Sequence, residues 1–445
     1  MAHCRNKVLG WLWIIIVLWA AFAAWFIQRR GYDSQEDAQT KGGSFQHEVY
    51  IWQRHWGDDL EAAIEQASGE VAGYTVLAAE VAWEGDKPRT VRPAVDYESL
   101  RATGRCVGLA LRIGPFQGRY SHEAVMTFLS ELAHSTVGAA RDAGVEPVEF
   151  QIDFDCAESK LDSYRTWVEA LKRELAPLPV VITVLPCWLD HKAFVRLAGA
   201  SDGYILQVHS LDRPTHADAS IVLCDPDKAL QWVEQAGRIG VPFRVALPTY
   251  GYTVFFNKDG EFAALAAEGP AKTLPHVRLT RQARADPYAM AGLVRKWGQA
   301  RPSAMTGVIW YRLPVETDRL NWSWITLSTV MKGLDPVRHL AAEVEYPQPR
   351  LADIVLVNAG QVDEPADVTV CMDFGLAAYV AGDGLAGFNM VETGSGLQLR
   401  YGASVDSPAM IKPGARWKIG WVRFKDETVV SPVVQPARTN QPGEM

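Results

Sequence analysis

The chain is poor in the features that hold metals, nucleotides and nucleic acids. Its six cysteines (Cys4, Cys106, Cys156, Cys187, Cys224 and Cys371) form no C-x-x-C pair and show no Cys/His ligand spacing, which argues against a zinc site. No glycine-rich phosphate fingerprint follows the first strand-like run, which argues against dinucleotide binding. No basic stripe offsets the net charge of -8, so a general nucleic-acid binder is not expected. There is no internal repeat at solenoid periods and no long low-complexity segment. His55 and His209 are the histidines at expected strand ends, too few for the ligand cluster of a metal-dependent deacetylase. No metal and no cofactor is expected.

The chain is rich in tryptophan, with 16 residues. Four fall in an apolar run over residues 8–27, about 20 residues and long enough to cross a bilayer. Arg5 and Lys7 precede it, and Arg29 and Arg30 follow. Ala21-Phe22-Ala23 resembles a small-x-small cleavage site, but a cut there would leave an apolar stub at the new terminus. The expectation is an uncleaved signal anchor in the inner membrane, with a polar tether up to residue 46 and the rest periplasmic or otherwise extracytoplasmic.

Beyond the tether, strand-like runs alternate with amphipathic helical stretches, as in a parallel α/β sheet. Strands are expected over 48–53, 74–83, 107–113, 148–158, 180–185, 203–209, 242–250 and 307–313. Helices are expected near 59–66, 122–143, 159–175, 190 onward, 225–237, 287–299 and 323–332. Eight such units over about 290 residues predict an α/β fold, a (β/α)8 TIM-type barrel over residues 47–338. After it, short alternating runs at 353–358, 367–373, 397–401 and 416–424 predict a small antiparallel, sandwich-like β domain over 346–431. Residues 432–445 are polar, contain proline and are expected to form a flexible tail. Trp417 and Trp421 share a parity, as a surface patch for glycan or as the inner face of the sandwich. Cys156 and Cys187 fall just past consecutive strands, so a disulfide there and two buried thiols are both open.

The fourth strand carries the chemistry. Val148, Phe150, Ile152 and Phe154 take one face, and Glu149, Gln151, Asp153 and Asp155 take the other. Inward acids at the C-terminal end of a barrel strand sit where this scaffold does catalysis. Neighbouring strand ends add Trp52 and Gln53, Glu80, Arg112, Trp188, Gln207 and His209, Tyr250, and Trp310 with Tyr311 and Arg312. Small inward residues, Gly108 and Ala110, leave room for the Arg112 guanidinium. Aromatic faces around a few carboxylates and amides suit a sugar, whose C–H faces stack while its hydroxyls bond to Asp, Gln and Arg. Asp153 and Asp155 point the same way and should couple, one holding a raised pKa while the other stays ionised. The plainer alternative is an inward acid pair bridged to Arg112 as a stabilising network.

Ile152-Asp153-Phe154-Asp155 resembles the strand-four D-x-x-D-x-D-x-E signature of chitinase-type barrel glycosidases. Pro248-Thr249-Tyr250-Gly251 is similar to their late-strand P-x-Y-G motif, and Gly307-Val308-Ile309-Trp310 to their last strand, whose Trp floors the sugar subsite. The region 48–332 looks more specifically like a bacterial family known as domain of unknown function 3142. The departure from the glycosidase pattern falls at the acid. Ala157 occupies the glutamate position, Glu158 is one residue late, and Phe150 replaces the first aspartate. An acetamido-assisted mechanism therefore does not carry over intact.

The sequence reading is a glycoside hydrolase acting on a poly- or oligosaccharide. Asp153, Asp155, Glu158 and Glu80 are its candidate catalytic acids. The candidate sugar contacts are Trp52, Gln53, Arg112, Trp188, Gln207, His209, Tyr250, Trp310 and Arg312. The rival is a non-catalytic glycan-binding or envelope-assembly protein on the same barrel.

Overall fold

In the computed structural model, residues 40–436 are described apart from 86, 117, 119–122, 211–213, 268–276, 375–377 and 403–408. The expected anchor at 8–27, the tether up to residue 39 and the end of the tail from 437 lie outside the described residues, and within the rest of the expected tether Thr40–Lys41 pairs with Arg301–Pro302. Among the described residues no helix is long and apolar enough to cross a membrane.

Eight parallel strands close into a barrel: Gln46–Ile51, Gly73–Glu84, Cys106–Ile113, Glu149–Phe154, Val180–Val184, Gly203–Gln207, Phe243–Pro248 and Met305–Tyr311. Closure is direct, since the first strand pairs with the second at Glu48↔Gly73 and with the eighth at Gln46↔Gly307. The helices between them start where their sequences say they should. Asp225 and Asp286 each precede a proline, and each side chain accepts from the next two free backbone N–H groups. The outward strand residues pack under the helices in one core that includes Trp167, Trp188, Trp297 and Trp310, all buried.

Two excursions escaped the sequence pattern. Strand Lys87–Val91 folds back antiparallel on the second strand and leads to helix Tyr97–Ala102. After the seventh strand, Gly251–Phe256, Phe262–Ala266 and Leu279–Arg284 form a three-stranded antiparallel sheet before the next helix. Gly251 starts it. A Cβ there would come within 2.5 Å of the Ala283 carbonyl oxygen, so this approach needs glycine.

The C-terminal part forms two four-stranded antiparallel sheets and one two-stranded pair. One sheet orders Leu340–Gln348, Leu351–Asn358, Arg416–Phe424 and Tyr379–Gly384; the other orders Phe388–Glu392, Gly396–Tyr401, Val368–Asp373 and Pro432–Pro436. Their shared core includes Ile354, Leu356, Val370, Met372, Leu399, Ile419 and Val422. Two expectations are corrected here. Residues 432–436, expected in the flexible tail, pair with Val368–Asp373. Trp417 and Trp421 do not share a face, because a bulge makes Gly420 oppose Ile354 while Lys418 opposes Val355. Trp417 packs against the core, whereas beyond the bulge Val422 and Phe424 are the buried residues. Cys156 and Cys187 are free thiols.

Candidate functional site at the C-terminal mouth of the barrel

The barrel interior is built in polar and apolar layers. At its base Arg244 of the seventh strand bridges Glu48 of the first and Glu149 of the fourth, 2.6 Å from Glu149 Oε1. Burial and the neighbouring Glu149 push the Glu48 carboxyl up, and Arg244 opposes them. One layer up, the Tyr50 hydroxyl donates to Gln151 Oε1 at 2.7 Å, and Gln151 Nε2 donates to Thr75 Oγ1 at 3.2 Å. Tyr50 packs there with Val181, Ile205, Ala246 and Ile309. The lower barrel is therefore plugged.

Above the plug the barrel opens. A cavity of about 240 Å³ is lined by Tyr50, Trp52, Arg112, Asp153, Asp155, Thr183, Gln207, His209, Ser210, Ala246, Tyr250, Tyr252 and Tyr311. It shares Trp52, Arg112, Tyr250, Tyr252 and Tyr311 with an outer groove of about 620 Å³, which adds Gln53, Arg54, His55, Asp59 and Arg312 among others. Strand parity explains the lining. The inward residues of the fourth, fifth and sixth strands continue upward as Asp153, Thr183 and Gln207, each two beyond the inward residue below it.

Asp153 is the anchored acid. It accepts from Thr183 Oγ1 at 2.8 Å and from Gln207 Nε2 at 3.4 Å. Burial and the adjacent Asp155 charge push its pKa up to about 6, with Arg112, Thr183 and Gln207 pulling the other way. Asp155 is likewise raised by burial and restrained by Arg112, but no described side chain donates a hydrogen bond to it. Burial works against the Arg112 charge, and the nearby carboxyls of Asp153, Glu80 and Asp155 hold it up. Arg112 forms no ion pair within 4.0 Å among the described residues. The acid pair is coupled to Arg112 and is not locked by it.

The remaining lining is aromatic. Tyr311 is central, with Trp52 at 5.5 Å, Tyr250 at 5.5 Å, His209 at 5.8 Å and Tyr50 at 5.9 Å between ring centroids. Burial pushes the His209 imidazole down to about 4, so it is neutral at physiological pH. Its Nδ1 lies 3.1 Å from the Tyr250 hydroxyl. Two buried polar atoms of this wall, His209 Nε2 and Trp52 Nε1, have no hydrogen-bond partner among the described residues.

Of the expected site residues, Asp153, Asp155, Arg112, Trp52, Gln207, His209 and Tyr250 meet at the inner cavity. Gln53 stands at the outer groove and donates to the Leu313 carbonyl at 2.9 Å. Arg312 lines the same groove, and the others are placed elsewhere. Trp310 is fully buried on the outer face of the eighth strand, donating from Nε1 to His47 Nδ1 at 3.1 Å; its neighbour Tyr311 is the one that turns inward. Trp188 lies in a short 3-10 turn, Pro186–Trp188, and packs among Tyr164 and Phe194. Arg312 is tied to Asp318 at 2.6 Å, so its charge is spent within the wall of the groove. Glu80 is gripped by Arg54 at 2.7 Å on the rim. Glu158 has left the strand, begins the turn Glu158–Lys160 and pairs with His191 at 3.1 Å, outside the cavity. The one-residue offset that separates Glu158 from the glycosidase signature thus removes it from the site.

Tyr50, Thr183 and Tyr252 have no site role in the sequence reading, which names Tyr311 at the end of the eighth strand but gives the sugar floor to Trp310. Thr183 had a signal, since it lies two residues beyond inward Val181 on a strand already identified. Tyr311 was masked by the larger residue beside it.

Among the described residues no cluster of three or more His, Cys, Asp or Glu side chains could hold a metal ion. Residues 103–316 match the family described as Domain of unknown function (DUF3142), the family that the sequence resembles. No curated protein matches the chain. Among solved structures the chain is similar to the spore cortex-lytic enzyme SleL of Bacillus cereus, at 10% identity over 66% of this chain and 75% of that one, with a TM-score of 0.48. It is similar to a chitinase from Chromobacterium violaceum, at 15% identity over 65% and 98%, with a TM-score of 0.41. A third is a glycoside hydrolase family 18 N-acetylglucosaminidase from Paenibacillus barengoltzii, at 12% identity over 65% and 100%, with a TM-score of 0.43.

Proposed function

We propose that the barrel mouth binds a carbohydrate and hydrolyses a glycosidic bond, with Asp155 as the proton donor. The observation that carries this reading is a coupled carboxyl pair, one member anchored and one without a hydrogen-bond donor among the described residues, in a tyrosine- and tryptophan-lined cavity that widens into a groove. Burial raises both carboxyls, that of Asp153 to about 6, so the pair keeps a proton to deliver. The two carboxyls share that proton, and Asp155, to which no described side chain donates, is the one placed to present it to the leaving oxygen. The aromatic ring around Tyr311 supplies the stacking face a pyranose needs.

Both acids come from one strand, and no other described lining residue of the inner cavity is a carboxylate. Among the described residues the inner wall therefore offers no carboxylate nucleophile for the opposite face of the sugar. Displacement at the anomeric carbon then falls to water or to a group on the sugar itself. The same observation favours the second reading, a glycan-binding protein that keeps the cleft without cleaving. Incubating the chain and its Asp155→Asn variant with bacterial and plant polysaccharides separates the two. Products from the parent alone support hydrolysis. Equal binding by both, with no products, supports the second reading.

We also propose that the protein works outside the cytoplasm, tethered by the apolar run at residues 8–27. Protease added to intact spheroplasts should then digest the barrel; full protection would refute this placement.

A further inference from the structure

We infer that the C-terminal β domain braces the outer groove, with Arg284 and Asp363 as positioning residues, so that a glycan long enough to enter the groove depends on that domain while one confined to the inner cavity does not. The ligand in this inference rests on the carbohydrate reading above; the brace itself rests on contacts between the two parts of the chain. Two elements outside the barrel sheet line the groove. The excursion after the seventh strand supplies Gly251, Tyr252 and Ala267, and the loop after the eighth supplies Arg312, Val315, Thr317 and Asp318. The three strands of the excursion form a sheet of their own, so the barrel's ladder does not fix where this sheet sits.

The two elements meet at Gly251. It pairs with Arg284 across the excursion sheet, and a Cβ on it would stand 3.1 Å from the Leu320 carbonyl oxygen of the loop. Arg284 ties both elements to the second domain. Its guanidinium donates to the Arg319 carbonyl at 2.6 Å and to Asp363 Oδ2 at 3.0 Å. Asp363 directly precedes Glu364–Pro365, which pairs with Met410–Ile411, and Lys412 follows on the partner strand. Lys412 donates from Nζ to the Glu316 carbonyl of the same loop. One end of this two-stranded pair therefore offers an acid to the excursion sheet and a base to the loop.

Burial gives these contacts their weight. The Arg284 and Asp363 side chains are 19% and 11% exposed, so water and salt screen the pair little, and removing one partner leaves the other charge uncompensated. Arg89 and Glu84, at 73% and 71%, form the kind of surface pair that holds almost nothing. Burial pushes the Asp363 carboxyl up, and Arg284 and Lys412 oppose it, so its charge depends on both contacts. The acid pair of the inner cavity is held differently. Asp153 takes its donors Thr183 and Gln207 from the fifth and sixth strands, and none of the bracing contacts involves them.

The test uses the whole chain carrying Asp155→Asn, to block turnover, alone and with Arg284→Met, Asp363→Asn or Lys412→Met added. Thermal melting confirms that each protein is folded, and Lys412→Met, a change at a more exposed side chain, keeps the test open if a buried change prevents folding. Backbone hydrogen exchange needs no ligand. Exchange should quicken over 251–256 and 315–320 in the Arg284 and Asp363 variants, quicken over 315–320 in the Lys412 variant, and stay unchanged over 149–154 and 180–184. Affinities are then measured for cellotetraose, xylotetraose, maltotetraose and chitotetraose and for the matching disaccharides. The Arg284 and Asp363 changes should each weaken a tetrasaccharide about tenfold or more, the loss of one or two groove hydrogen bonds, and its disaccharide by no more than about twofold. Unchanged exchange over 251–256 and 315–320 in every folded variant refutes the brace and leaves the carbohydrate reading standing. Equal losses for tetrasaccharide and disaccharide refute the positioning role, since the pair would then support the fold as a whole. Binding of no probe counts against the carbohydrate reading, and the exchange result alone then decides the brace.

Discussion

The Thr183 hydroxyl, on the fifth strand, donates to Asp153 Oδ1 on the fourth at 2.8 Å, and among the described residues Asp155, two residues further along, has no such donor. Thr183, with Gln207 at 3.4 Å, thus distinguishes an anchored acid at the strand's end from the one just beyond it.

Asp153 makes stability depend on pH. Its pKa is raised from 3.8 to about 6 on folding, so the folded state binds the proton more tightly than the unfolded chain. The stabilisation from that proton is fully present below pH 3.8 and is lost as pH rises through about 6. Asp153→Asn stays neutral throughout and should gain on the parent between pH 4 and pH 7.5, by up to about 3 kcal/mol. Denaturant midpoints of both proteins at the two pH values check this. A difference independent of pH would contradict it.

Removing the anchor should act in the same window. Thr183→Val deprives the ionised Asp153 of a donor, which should cost about 1–2 kcal/mol at pH 7.5 and less at pH 4.5. The alkaline limb of any activity profile should shift upward as well. An unchanged limb would mean that the acid pair does not set it.

The plug beneath the site rests on Arg244. Arg244→Met leaves Glu48 and Glu149 facing each other in the barrel base, and breaking such a buried arrangement typically costs about 3–5 kcal/mol. Adding Glu48→Gln and Glu149→Gln should recover much of the loss. Chemical denaturation of the three proteins tests the account, and no recovery would show that the guanidinium acts through packing instead.

Neighbours on the eighth strand should behave oppositely. Trp310→Ala empties a fully buried site and should cost about 3–5 kcal/mol, leaving ligand affinity unchanged in the protein that still folds. Tyr311→Leu should leave the melting transition close to the parent's and lower affinity about tenfold or more. A reversed pattern would place the sugar face on the other side of the strand.

The barrel was legible because parallel strands buried on both faces announce themselves as apolar runs spaced by amphipathic helices. The acids were legible because Glu149, Gln151, Asp153 and Asp155 alternate with Phe and Ile on one strand. Parity failed where both neighbours are aromatic: nothing in Trp310-Tyr311 says which ring turns inward, and the larger one went to the helix side. Trp188 and Glu158 failed for a different reason. Each lies just past its strand, where a 3-10 turn ends the alternation that period-two reasoning needs. The excursion at 251–284 was missed because its short strands interrupt a βα connection, and only Gly251 marks the close backbone approach.

The role proposed for Asp155 is to give a proton to a departing sugar oxygen. It is tested most directly by comparing the parent and Asp155→Asn on matched 4-methylumbelliferyl and 2,4-dinitrophenyl glycosides near pH 6. The account expects the variant to lose about 10²–10⁴-fold on the methylumbelliferyl substrate, whose leaving group needs the proton, and far less on the dinitrophenyl one, which does not. Equal rates for parent and variant on both substrates, or no cleavage of either by the parent, would contradict it.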